Sequence, residues 1–181
     1  MTLSGYLGEM TRLFAATEAG ASLDDGAARA VGMIRAARDG NRAVIVIGNG
    51  GSAAIASHMQ NDLCKAVGVR SLVFTEPPLL TALSNDESYE SAYESLLRLW
   101  AAPGDLLVAI SSSGKSPNIL RAARAAREAG CGVITLSGFG ADNPLRTLGD
   151  VNFYVPSPSY GHVEAVHGTI TQYLTDALKR G

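Results

Sequence analysis

The sequence predicts an α/β fold of three layers, a five-stranded parallel sheet covered by helices on both faces, with an N-terminal helical extension. Three observations carry this. Five short runs rich in aliphatic and β-branched residues, at 43–47, 71–74, 106–110, 132–136 and 151–155, have strand length. Helical patterns at 53–67, 89–100 and 117–129 separate the first four runs, which is the alternation of βαβ units. Glycine- or serine-rich segments join the first and third runs directly to helices. Crossovers of this kind are right-handed and build a parallel sheet buried on both faces.

Taken in order, residues 3–19 and 24–38 read as helices, with apolar positions three to four apart at Tyr6, Met10, Leu13 and Phe14, then Val31 and Ile34. The strands and crossover helices follow, and a last helix runs from His162 to Lys179. Terminal helices with apolar stripes and no strand partner dock either on their own sheet or on another subunit, and the expectation adopted is a homo-oligomer. The chain shows no internal repeat, low-complexity tract or linker. It is read as one domain over 1–181, with helices in 1–40 and the α/β core in 41–181.

Composition narrows the function classes. A chain of 181 residues, 46% hydrophobic, buries a real core without disulfides. Its two cysteines, Cys64 and Cys131, lack metal-ribbon or disulfide-framework spacing. No basic leader precedes an apolar segment, and no apolar run approaches the ~20 residues of a membrane span. A cytoplasmic protein without a membrane partner is expected. A net charge of −2 with only three lysines gives no basic face for nucleic acid.

Ligands of open parallel sheets sit beyond the carboxyl ends of the strands. After the first strand comes Gly48-Asn49-Gly50-Gly51-Ser52-Ala53, and after the third comes Ser111-Ser112-Ser113-Gly114-Lys115-Ser116-Pro117. Helix N-termini offer free N–H groups and positive dipole ends, glycines admit an anion close to the backbone, and hydroxyls add donors. Two such loops point to phosphate, although either alone also reads as a capped turn. A dinucleotide fingerprint fits poorly, because Glu76, its candidate ribose partner, lies 26 residues past Gly50. A P-loop reading at 109–116 has Ala109 for its first glycine and no strand ending in a second magnesium-site Asp.

The motifs IGNGGSA, Asn85-Asp86 and ISSSGKSPN, in this order, resemble the sugar isomerase (SIS) domain and within it the phosphoheptose isomerases. The resemblance extends over essentially the whole chain. It implies isomerisation of sedoheptulose 7-phosphate to a glycero-manno-heptose 7-phosphate through an enediol, for nucleotide-activated heptose, in a homotetramer. It also implies that Ser111, Ser112, Ser113 and Ser116 hold the phosphate, that Asn49, Gly51 and Ser52 face the sugar, and that Asp86 contacts substrate. Lys115 stands where the family often has Asn.

Further positions depart from the family. His58 and Asp62 share one face of the helix after the first loop, at positions where the family has His and Glu, used for zinc or proton transfer in some members. On the last helix the family pattern Gln-Glu-x-His, with a second His five residues on, becomes Glu164-Ala165-Val166-His167 with Gln172 in the last place. An amide cannot titrate, so Gln172 is not an acid or base but is kept as a substrate contact. Glu164 and Asp62 are therefore the proton-transfer candidates. Glu164 and Gln172 lie about 80° apart around the helix, so His58, Asp62, Glu164 and Gln172 are expected to hold one divalent ion, zinc by resemblance. His167 points about 140° away from Gln172, and His162 reads as a capping or loop histidine. The rival reading is a non-catalytic protein that binds a sugar phosphate or the replication initiator, as some relatives of this domain do. An isomerase for a different sugar phosphate shares every motif.

Overall fold

A computed structural model of the chain describes residues 2–179, so residues 1, 180 and 181 of the expected single domain lie outside the described residues. The helices α1 (Leu3–Ala16) and α2 (Leu23–Asp39) come first. Each starts at a side-chain cap: Thr2 Oγ1 accepts from Gly5 N at 3.1 Å, and Ser22 Oγ accepts from Asp25 N at 3.0 Å. There follow β1 (Val44–Gly48), α3 (Gly51–Asp62), β2 (Ser71–Val73), α4 (Pro77–Asp86), α5 (Tyr89–Trp100), β3 (Leu106–Ser111), α6 (Pro117–Glu128), β4 (Gly132–Gly138), β5 (Val151–Val155) and α7 (Tyr160–Lys179). All strands pair in parallel, in the order β2-β1-β3-β4-β5.

Two elements differ from the sequence expectation. Residues 77–86 form α4, which the Pro77-Pro78 pair disguises as a break. Proline is tolerated in the first helical turn, where its missing N–H has no intrahelical partner to lose. The helix expected over 53–67 is α only to Asp62. Leu63–Val67 then widens into a π turn that Gly68 ends in the left-handed region, at φ +74°.

Successive residues of a strand face opposite layers, and β1 divides accordingly. Val44 and Val46 join Met10, Leu13, Ile34, Met59, Phe153 and Leu174 in the core beneath α1, α2, α3 and α7. Ile45 and Ile47 join Tyr93, Leu97, Ile119 and Ala126 beneath α5 and α6. The buried Asp105 carboxylate accepts from the backbone N of Ala43 and of Ala102, both at 2.8 Å, and so ties the start of β3 to the start of β1. The Glu18 backbone bridges Tyr154 and covers the β5 edge.

This strand order sets the position of any ligand. The chain leaves β1 toward β2 on one side and β3 toward β4 on the other, so the connections after β1 and β3 diverge and open a crevice. Gly48 is in register with Ile110. The glycine loop and the serine loop therefore face each other across that crevice.

Candidate functional site

At the carboxyl ends of β1 and β3 lies a cavity of about 160 Å³ lined by Asn49, Ser52, Ile110, Ser111, Ser112, Ser113, Ser116, Tyr160 and Glu164. The local geometry of the serine loop is built on Gly114, whose φ of +63° favours glycine and whose missing Cβ leaves room for the Asn143 side chain packed there. Backbone bonds from Gly138 N to Ser112 O (2.8 Å) and from Leu145 N to Gly114 O (3.2 Å) hold the loop down. Ser111 Oγ lies 3.1 Å from Ser116 Oγ, and Ser113 Oγ accepts from Lys115 N at 3.2 Å. Ser112 Oγ is buried without a partner among the described residues.

Side-chain caps close some helix starts away from this cavity, although α4, at Glu76, has none either. The helices α1, α2 and α5 cap themselves with Thr2, Ser22 and Ser88. At α3 the N-cap is Gly50, at φ +53°, and at α6 it is Ser116; neither supplies a side-chain cap. Ser116 has the hydroxyl to cap with, yet that hydroxyl turns to Ser111 instead. Two positive helix ends, both without side-chain caps, thus converge on one polar cavity, which is the arrangement that binds an anion.

The carboxylate of Glu164 lies against Gly51 at the start of α3, so closely that a Cβ on Gly51 would collide with it. Asn49, Gly51, Ser52, the four serines and Glu164 are thereby brought together. His58, Asp62 and Gln172 form a second cluster further along α3 and α7. His58 Nε2 is 3.1 Å from Gln172 Oε1 and 3.5 Å from Asp62 Oδ2. Gln172 Nε2 donates to Asp176 Oδ1 at 3.2 Å, which turns the amide oxygen toward His58, and Lys179 Nζ donates to the same Asp176 oxygen at 2.8 Å.

Glu164 does not join that cluster, and the four-ligand set expected from the sequence is not assembled. Positions on one side of a helix can still stand at different levels along its axis. Eight residues advance about 12 Å along a helix, and Gly51 and His58 are themselves about 10 Å apart along α3. Among the described residues no three of His, Cys, Asp and Glu converge as a metal group. What does converge is one imidazole, one carboxylate and one amide oxygen. Ligand atoms of a tetrahedral ion bound at 2.0–2.1 Å are about 3.4 Å apart, close to the two spacings from His58 Nε2.

Asp86 stands apart from both groups. It is exposed at the end of α4, and its carboxylate accepts from Asn85 Nδ2 at 2.9 Å. His167 is fully buried. Its Nε2 lies 3.1 Å from the carbonyl oxygen of Ser137, so Nε2 carries the proton, while Nδ1 has no partner among the described residues. Protonation would place a second N–H in that apolar surround, and burial pushes the pKa down to about 4. The His162 ring packs on Tyr6 with centroids 4.9 Å apart, joining α7 to α1.

Three residues of the site carried no sequence expectation. Tyr160 lines the cavity and packs on Phe139, with ring centroids 4.7 Å apart. Asn118, on α6, exchanges amide hydrogen bonds with Asn49, and the Tyr89 hydroxyl donates to Asn49 Oδ1 at 2.8 Å. Asn118 closes the ISSSGKSPN motif and was visible there as a polar residue heading a helix. Tyr89 arrives from a different crossover, and no local pattern signals it.

Residues 5–138 match the SIS domain family model. The phosphoheptose isomerase of Mycobacterium tuberculosis (strain ATCC 25177 / H37Ra) is 39% identical over 169 residues, covering 84% of this chain and 83% of that one. That of Bordetella avium (strain 197N) is 35% identical over 167 residues, covering 87% and 84%. The structure of a phosphoheptose isomerase from Neisseria gonorrhoeae superposes with a TM-score of 0.88 at 26% identity, over 97% of each chain.

Proposed function

The chain belongs to the SIS-domain family and, within it, to the phosphoheptose isomerases, and from that premise we propose how its own residues carry the reaction. The substrate is sedoheptulose 7-phosphate and the product a glycero-manno-heptose 7-phosphate. The observation that carries this reading is a single cavity lined by five serines, two helix N-termini without side-chain caps and one carboxylate. The first two features suit a phosphate. The third is what a purely anion-binding pocket has least use for, because it repels the ligand; a proton-transfer site requires it.

In the reaction one proton leaves carbon 1 of the ketose and the carbonyl oxygen on carbon 2 is protonated, giving the enediol. The hydroxyl on carbon 1 then gives up its proton and a proton is delivered to carbon 2, leaving the aldehyde. Each step needs a group that can take up and release a proton and that reaches the reacting carbons. Glu164 fills that role from α7, with the phosphate anchored by Ser111, Ser112, Ser113 and Ser116, and with Asn49, Gly51 and Ser52 on the sugar side. By family resemblance Asp62 is the second proton carrier, and Gln172 and Asp86 are substrate contacts. A divalent ion, zinc by family, would be held by His58, Asp62 and Gln172 and would supply Lewis acidity to a sugar oxygen.

The remaining assignments belong to the same reading. Residues 1–181 act as one domain, and the protein works in the cytoplasm as a homotetramer. Among the described residues no helix is long and apolar enough to cross a membrane. The test is to incubate purified protein with sedoheptulose 7-phosphate, with and without added zinc, and follow the sugars by NMR. Conversion to the aldoheptose phosphate is expected. Tight binding of the ketose without conversion under every metal condition would overturn the enzymatic reading and leave the non-catalytic sugar-phosphate binder, for which the missing imidazole at Gln172 is the supporting observation.

A further inference from the structure

We infer that Tyr89 and Asn118 are positioning residues that hold Asn49 as a one-sided hydrogen-bond donor to an oxygen of the bound sugar. The backbone N–H of Ile119 can only donate, and it is shared between Ser116 O at 3.1 Å and Asn118 Oδ1 at 3.0 Å. That fixes which end of the Asn118 amide is oxygen. The two asparagines then pair reciprocally: Asn49 Nδ2 donates to Asn118 Oδ1 at 3.0 Å, and Asn118 Nδ2 donates to Asn49 Oδ1 at 2.9 Å. The orientation of Asn49 is thus inherited from a helix backbone.

Tyr89 completes the arrangement. Its hydroxyl donates to Asn49 Oδ1 at 2.8 Å, so the oxygen of Asn49 accepts two hydrogen bonds and both its lone pairs are engaged. Of the two N–H bonds on Asn49, one is spent on Asn118. A single N–H remains among the described residues, on a side chain that lines the cavity. Asn49 therefore presents a donor and no acceptor. It selects a ligand oxygen that brings a lone pair, such as a carbonyl or an acceptor hydroxyl, and offers nothing to a ligand that brings only a proton.

Asn118 is buried and fixed within α6. Tyr89 is nearly half exposed and enters from the first turn of α5, so the polarity of the site depends on where the α4–α5 segment sits. The inference rests on the isomerase reading for its substrate class, and the experiment separates the two. Tyr89→Phe keeps the ring and removes only the hydroxyl at an exposed position. It is measured alone, in an Asn49→Ala background, and against wild type, by calorimetric affinity for sedoheptulose 7-phosphate and by turnover.

The expected result is a rise in Kd and KM of about threefold to tenfold for Tyr89→Phe, the scale of one hydrogen bond, with kcat nearly unchanged and with no further effect once Asn49 is alanine. A Tyr89→Phe protein that binds as wild type does, or that loses as much affinity in the Asn49→Ala background, overturns the inference. If wild type binds the sugar phosphate without converting it, the isomerase reading falls, and the affinity cycle still decides the role of Tyr89. If wild type binds no sugar phosphate, both fall.

Discussion

At the scale of single residues, the departures from family pattern on the last helix are the informative positions. Gln172 cannot titrate, and its amide oxygen is turned by Asp176 toward His58. Glu164 brings a carboxylate to the serine-lined cavity instead. The types were legible in the sequence and their grouping was not, because helical angle and helical rise act independently: residues on one face can still be about 12 Å apart. His167 illustrates a second limit. Its identity matched a family position, but its burial and single bond to Ser137 mark it as a core histidine that stays neutral. Its pKa of about 4 lies below the unfolded value near 6.5, so the unfolded chain binds more protons between those pH values. Stability conferred by the neutral form is full above about pH 6.5 and declines as pH falls toward 4. Chemical denaturation across that range should show wild type losing stability more steeply than His167→Gln; parallel pH profiles for the two proteins would contradict the assignment.

At the scale of elements, the α3 start shows how a glycine can be required by a neighbour and not by its own backbone. Gly51 has no left-handed φ, yet a Cβ there would run into the Glu164 carboxylate. The obstacle is the end of a flexible side chain, so Gly51→Ala should leave thermal stability within about 0.5 kcal/mol of wild type while displacing Glu164 and lowering kcat/KM at least tenfold. Gly48→Ala is the contrasting case, since its Cβ would sit 2.6 Å from the backbone of Ser52 and should destabilise the protein outright. Equal losses of stability in both variants would remove the distinction. Element types followed readily from periodicity wherever a strand or amphipathic helix stood alone. The segment at 77–86 was hidden because its prolines signal a break, and its packing gave no counter-signal: α4 buries no residue fully.

At the scale of the whole molecule, the strand order explains why two loops separated by about 60 residues of sequence make one site. Parallel crossovers leaving β1 and β3 in opposite directions open a crevice between them; the alternation of strand and helix implied a parallel sheet but not this order. What a single chain's sequence does not encode legibly is the partner surface. Leu3 and Leu7 on α1 and Tyr173 on α7 are exposed, and an apolar cleft of about 200 Å³ between α1, α2 and α7 is lined by Phe14, Leu23, Phe153, Ile170 and Tyr173. The proposed homotetramer, were it built through these helices, predicts that sedimentation gives about four times the 18.8 kDa chain mass, and that Leu7→Glu together with Tyr173→Glu reduces it. A monomeric wild type would contradict that assembly.

The central claim is that the carboxylate at Glu164 moves the carbon-bound proton in place of the imidazole missing at Gln172. The direct measurement is conversion of sedoheptulose 7-phosphate in deuterium oxide, with deuterium at carbon 2 of the product followed by NMR, for wild type and Glu164→Gln. The account predicts product labelled at carbon 2 in wild type and a loss of turnover of about a hundredfold or more in the variant, the scale of general acid–base catalysis, with sugar-phosphate affinity retained. A Glu164→Gln protein that isomerises and exchanges at the wild-type rate would contradict it.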